Sequence, residues 1–166
     1  LMYMDFALMS SDQIANQAAK WHYMSGGQVE VPVVIRCSVG AGKGYGGQHS
    51  QSLESLFTHI PGLWVVYPAT AEDAKGLLKA AIRDENPVVF IEHEYLYGQR
   101  GEVPDDEDHV VPFGKAAIRR EGRDVTIIGI SRMAVTAERA AEQLAERHEV
   151  EAEVIDPRTL RPLDLD

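Results

Sequence analysis

Cysteine occurs once, as Cys37, in 166 residues. That excludes an internal disulfide framework and suits a reducing compartment. Cys37 follows a strand-like apolar run, where a packed thiol is commoner than a nucleophile. Basic residues are outnumbered: 16 Lys and Arg face 26 Asp and Glu, a formal charge of −10. With no basic stripe to neutralise phosphates, this composition argues against a nucleic-acid surface. No apolar run approaches the roughly 20 residues needed to span a bilayer. The opening, Leu1-Met2-Tyr3-Met4-Asp5-Phe6, has no basic region ahead of an apolar one, so no signal peptide is read there. An initiator methionine is missing too, and 158–164 follows a strand with a turn, so the chain is expected to be a fragment.

What the chain does have is a glycine-dense loop. Glycines at 40, 42, 44, 46 and 47 run into Gln48-His49-Ser50-Gln51-Ser52. Glycine lets the backbone take positive φ and approach a ligand or neighbouring chain. An imidazole titrates near neutrality and can move a proton. His49 reads equally well as a loop residue capping the next helix or as a catalytic group.

The order of elements is α/β. Ser10 with Gln13 has the form of a capping box, and Ile14, Ala15, Ala18 and Ala19 make one apolar stripe of a helix reaching about Tyr23, stopped by Gly26-Gly27. A strand is expected over 31–36, a helix over 50–59 and a strand over 63–67. Thr70, with Asp73 three residues on, caps a helix that buries Ala74, Leu77, Leu78 and Ala81. A third strand follows over 87–92. This alternation predicts a doubly wound parallel sheet in a domain over 1–100. The acidic run Gly101-Glu102-Val103-Pro104-Asp105-Asp106-Glu107-Asp108 reads as a solvated connector, extended by an open segment over 110–119, giving a linker over 101–122. A strand over 124–131, a helix over 136–147 with Ala137, Ala140, Ala141 and Leu144 inward, and a strand over 151–155 make one β-α-β unit. It is assigned to the beginning of a second α/β domain over 123–166.

Several chemistries find no support. Gly42-Lys43-Gly44-Tyr45-Gly46-Gly47 fits the dinucleotide pattern, but Tyr67-Pro68-Ala69 stands where a ribose-binding acid should end the next strand. Lys43 lacks the spacing and hydroxyl partner of a phosphate-binding loop. His49, His59 and His93 have no zinc-ligand spacing. A Ser/His/Asp triad stays open, without a nucleophile elbow to support it.

The chain resembles the β subunits of the thiamine-dependent 2-oxo acid dehydrogenases, nearest to the pyruvate dehydrogenase type. The residues that carry this are Asp12-Gln13-Ile14, Asn16-Gln17-Ala18-Ala19-Lys20, Tyr23-Met24-Ser25-Gly26-Gly27, Gln48-His49-Ser50-Gln51-Ser52 and Pro61-Gly62-Leu63. Asp73-Ala74-Lys75-Gly76-Leu77, Ala81-Ile82-Arg83-Asp84, Asn86-Pro87-Val88, Gly114-Lys115-Ala116 and Arg158-Thr159-Leu160-Arg161-Pro162-Leu163-Asp164 continue it in order.

The resemblance implies a parallel-sheet, transketolase-like pyrimidine-binding domain followed by the start of a transketolase C-terminal-type domain. It also implies thiamine diphosphate shared with an α subunit that carries magnesium; the absence of a Gly-Asp-Gly diphosphate motif agrees with a β chain. Phe6 matches the aromatic that packs on the pyrimidine, and His49 the histidine at the mouth of the active site. Val33, Ala81, Ile82, Asp84 and Asn86 match a structural potassium site, although Asp84 and Asn86 read equally as helix-end caps. The family's ring-protonating glutamate falls before Leu1, so the chain by itself is expected to be inactive. Expected partners are an α subunit in an α₂β₂ heterotetramer and a lipoyl-bearing dihydrolipoamide acyltransferase. The expected compartment is a bacterial cytoplasm or the mitochondrial matrix. Acetoin and branched-chain 2-oxo acid dehydrogenase β subunits share nearly all these residues and stay open, as does a non-catalytic interaction module.

Overall fold

The computed structural model describes residues 1–40 and 42–166. A 3-10 turn, Met4–Ser10, leads into a π-helical segment, Gln13–Ala18, and then α1, Ala19–Met24. Ile14 and Ala19 are buried as the stripe predicts. The capping box is not formed: Ser10 belongs to the 3-10 turn, the residue ahead of Gln13 is Asp12, and no side-chain cap bond is made. Asp12 instead accepts from Asn16 at 2.8 Å.

The first sheet holds β1 (Val34–Val39), β3 (Val88–His93), β2 (Trp64–Val66) and β7 (Thr159–Arg161), in that order. β3 pairs in parallel with both neighbours, Val34 opposite Val88 and Trp64 opposite Val88. β1 therefore starts three residues later than expected and runs on to the edge of the glycine loop. The segment ahead of it is tied instead by Val31 N–H to the Glu85 carbonyl at 3.1 Å.

Alternation along the three parallel strands sorts the core into two layers. Cys37, Val39, Val65, Val89 and Ile91 face one side, with Met4, Ala7 and Phe57 of α2 (Glu54–Thr58). Val66, Val88 and Phe90 face the other, against Leu77 and Ala81 of α3 (Ala71–Arg83). Burial raises the pKa of the Cys37 thiol, in keeping with a packed residue. The α3 cap is as the sequence predicts: Thr70 Oγ1 accepts from Asp73 N–H at 3.1 Å. α2 covers only half of the helix expected over 50–59, because the backbone at Gln51 is drawn into a contact with Asp5.

The second sheet is small: β4 (Ala117–Arg120), β6 (Ala152–Asp156) and β5 (Val125–Ile128), with α4 (Arg132–His148) on one face. α4 begins four residues earlier than expected, and Ala140 is exposed whereas Ala137 and Ala141 pack inward. β4 comes from the segment read as connector and pairs antiparallel with β6. The acidic side chains of 102–108 are exposed as expected, while Lys75 and Lys79 of α3 donate to the backbone carbonyls of Pro104 and Glu107.

β7 then crosses back to pair antiparallel with β2. Asp73 accepts from Arg158 at 3.4 Å and lies 3.9 Å from Arg119, so the buried cap of α3 also clamps the two sheets together. No helix among the described residues is long and apolar enough to cross a membrane.

Candidate active site

Parallel strands present their C-terminal ends on one edge, where ligands of such sheets gather. At that edge β1 gives way to the glycine loop, in which Gly44 and Gly46 take φ of +82° and +78°. A Cβ added at either position would meet nothing within 4 Å, so the loop faces open space. His49 sits at its far end, half-buried. The Phe6 ring lies 5.1 Å from the imidazole, edge on at 78°, and Tyr3 lies at the same 5.1 Å and 73°. Tyr45 continues the cluster, 5.7 Å from Tyr3. Edge-to-face packing at these separations is favourable, about 0.5–1.5 kcal/mol per pair beyond the area buried.

The structure thus brings together Phe6 and His49, which are 43 residues apart in the sequence. An aromatic face, an imidazole and an open glycine loop on one rim are a chemically fitting setting for a flat heteroaromatic ring and a nearby proton donor. Two neighbours escaped the sequence reading. Asp5 is 7% exposed and its Oδ1 accepts from Gln51 N–H at 3.2 Å and Gln51 Nε2 at 2.8 Å. Tyr3 stands beside Glu94; burial first, then that carboxylate, raise the pKa of its phenol. A carboxylate immediately before the aromatic was the available signal for Asp5; nothing local marked Tyr3.

On its other flank the loop is braced from beyond β3. Tyr95 O–H donates to the Gly42 carbonyl at 2.6 Å, with the Arg132 guanidinium 4.0 Å and the Lys43 ammonium 5.2 Å from the Tyr95 ring centre. His93 is lowered in pKa by burial and then by Arg132.

The other predicted set lies at the opposite ends of the strands, away from His49. The Val33 carbonyl accepts from Val88 N–H at 2.9 Å, beside the end of α3. Ala81 and Ile82 fall in the last turn of α3, whose carbonyls lack intrahelical donors. Asp84 Oδ1 accepts from Asn86 N–H at 2.8 Å, Asn86 Nδ2 at 2.9 Å and Trp64 Nε1 at 3.2 Å. Asp84 and Asn86 therefore form a local turn just past the end of α3. The three hydrogen bonds all use Oδ1, which leaves the second Asp84 carboxylate oxygen and backbone carbonyls as a hard donor set that suits an alkali ion. Among the described residues no group of three His, Cys, Asp or Glu side chains could hold a metal.

A cavity of about 650 Å³ opens on the α3 side of the sheet, floored by Leu78 and Phe90 and bordered by Arg36, Glu92, Arg119 and Glu138. Those charges are paired with one another, at 2.7 Å for Arg36–Glu92 and 3.0 Å for Arg119–Glu138. None of the predicted site residues lines it.

Comparison with known proteins identifies the fold. The transketolase pyrimidine-binding domain matches residues 1–99 and the transketolase C-terminal domain residues 114–166. The acetoin:2,6-dichlorophenolindophenol oxidoreductase subunit beta of Cupriavidus necator is 55% identical over 166 residues, covering 100% of this chain and 48% of that protein. The pyruvate dehydrogenase E1 component subunit beta of Rhizobium meliloti is 52% identical over 164 residues, covering 99% of the chain and 35% of its own length. Its mitochondrial counterpart in Caenorhabditis elegans is 53% identical over 168 residues, covering 99% and 47%. The chain spans about half or less of the length of these curated relatives. A split-gene transketolase, described as an inactive β4 tetramer, superposes with a TM-score of 0.74 at 26% identity, over 98% of this chain and 49% of that one. A Pichia stipitis transketolase shares the fold, with a TM-score of 0.72 at 18% identity, over 99% and 23%. The chain therefore belongs to the transketolase pyrimidine-binding family, joined to transketolase C-terminal-domain sequence, and its relatives include β subunits of pyruvate and acetoin dehydrogenases.

Proposed function

We propose that this chain is part of the β subunit of a thiamine-diphosphate-dependent dehydrogenase that decarboxylates pyruvate and passes the acetyl unit to a lipoyl group. The observation that carries the reading is the Phe6–His49 contact at the mouth of the glycine loop. Thiamine diphosphate, when bound across the boundary with an α subunit that holds magnesium, supplies the stabilisation of negative charge on carbon. Phe6 packs against its pyrimidine. His49 stands where the acyl acceptor arrives and gives a proton to the sulfur that leaves as the lipoyl disulfide opens. The partners are an α subunit in an α₂β₂ assembly and a lipoyl-bearing acyltransferase. The exposed Trp21, Tyr23 and Tyr45 supply aromatic surface suited to such contacts.

Acetoin is a second substrate reading, favoured by the 55% identity to an acetoin-oxidising β subunit. Both substrates deliver the same two-carbon acetyl unit, so the same residues serve either. Turnover of the full-length β chain with its α subunit on pyruvate, acetoin and 3-methyl-2-oxobutanoate separates them. Pyruvate is expected to be preferred; preference for either of the others overturns the pyruvate assignment, and no turnover on any overturns the class. Potassium at Val33, Ala81, Ile82, Asp84 and Asn86 belongs to the same proposal. Thermal stability of the complex is expected to rise with potassium over sodium, and identical melting in both salts refutes the site.

A further inference from the structure

Among the described residues, neither nitrogen of the His49 ring makes a hydrogen bond. Both stay available to a reactant, yet a proton donor must be held in one orientation to be efficient. The part of the loop next to the ring cannot hold it: Gly44, Gly46 and Gly47 face open space, and the backbone tie there is His49 N–H to the Gly46 carbonyl at 3.4 Å. Orientation has to come from outside the loop.

The residues that supply it flank Phe6. Two residues past His49, Gln51 is fixed by backbone and side chain to Asp5 Oδ1. Asp5 is buried in the turn whose Met4 and Ala7 are wholly enclosed in the core. Its Oδ2 is buried without a hydrogen-bond partner, so both hydrogen bonds of this side chain run through Oδ1 to Gln51. Tyr3, on the same stretch, makes a second edge-type contact with the imidazole at the same 5.1 Å as Phe6. A single short segment thus grips both the loop and the ring.

We infer that Tyr3 and Asp5 are positioning residues for His49, Asp5 setting the height of the loop and Tyr3 the plane of the imidazole. The inference rests on the proposed proton role of His49, so the test measures that role separately. In the full-length β chain assembled with its α subunit, two rates are read: acyl transfer to a lipoyl domain, and reduction of dichlorophenolindophenol, which bypasses the lipoyl disulfide. Tyr3→Ala and Asp5→Ala are expected to lower the ratio of lipoyl transfer to dye reduction about ten-fold. Tyr3→Phe keeps the ring and Asp5→Asn keeps the acceptor, and each is expected to restore the ratio to within about two-fold of wild type. Equal falls in both rates, no fall in either, or failure of the conservative variants to restore the ratio overturns the positioning role. His49→Ala is run alongside. Its ratio collapsing while Tyr3→Ala and Asp5→Ala match wild type refutes positioning alone, whereas an unchanged ratio in His49→Ala refutes the proton role on which it rests.

Discussion

The two sheets differ in how they are covered. Strands β1, β3 and β2 are packed on both faces, and Val65, Val66, Val88, Val89 and Ile91 have essentially no exposed surface. The second sheet has α4 on one side only; there the buried cluster comprises Ala137, Ala141, Ala152 and Val154, while Ile118 and Ile128 are 62% and 68% exposed. Small side chains bury little area, and hydrophobic stabilisation scales with area at about 25 cal/mol per Å². The second unit therefore leans on polar ties to the first: Arg158 to Asp73, Ser131 Oγ to the Pro68 carbonyl at 2.9 Å, and the β7–β2 pairing. The proposed site lies at the well-packed sheet, where a 3-10 turn and a loop can be held against a rigid edge. The weakly packed sheet works as a docked flank.

That contrast can be broken at several points. The largest effect is expected at the rim of the first sheet: His49→Ala in the full-length complex should slow lipoyl acylation ~10²–10⁴-fold while cofactor affinity is kept. Stopped-flow acyl transfer with calorimetric cofactor titration checks this, and a wild-type rate removes His49 from the reaction. Next comes the core. Phe90→Ala should cost ~3–5 kcal/mol in denaturant unfolding, because a fully buried ring leaves a cavity between β3 and α3. A loss under 1 kcal/mol would mean that the α3 layer is not the packed one.

Arg158→Ala tests the junction. It removes donors to Asp73 and to the Lys115 and Ala116 carbonyls and should cost about 2–3 kcal/mol. Hydrogen exchange should show the extra opening in β4–β6 rather than in β1–β3. Uniform loosening of both sheets would contradict the docked-flank description.

Asp156 gives the smallest and most pH-dependent effect. Burial raises its carboxyl to about 6 in the folded chain, from an ordinary value of 3.8. Since the folded pKa is the higher one, the stabilisation is fully present below about pH 3.8 and is lost as pH rises through about 6. Asp156→Asn should therefore melt a few degrees above wild type at pH 7, roughly 2–5 °C, and lose that advantage near pH 4. An advantage independent of pH would show that ionisation of Asp156 is not the cause.

Local chemistry in the sequence determined much of this protein. The β-branched runs specified β1, β2 and β3, and the Thr70–Asp73 cap specified where α3 begins, because each depends on neighbouring residues alone. Motif order was enough to identify the family. Other features needed the tertiary structure. Ser10 and Gln13 have the letters of a capping box, but the preceding chain folds as a 3-10 turn that packs Met4 and Ala7 into the core, and burial outweighs a cap. The expected helix over 50–59 loses its first half because Asp5 takes Gln51. The turn at Asp84 and Asn86 is also held by the indole of Trp64, a donor 20 residues away. The grip of Tyr3 on His49 and the return of β7 to β2 were likewise beyond local reading. Propensity and capping act within a few residues and are written in the chain, whereas a contact between distant segments exists only once the sheet has fixed where both of them run.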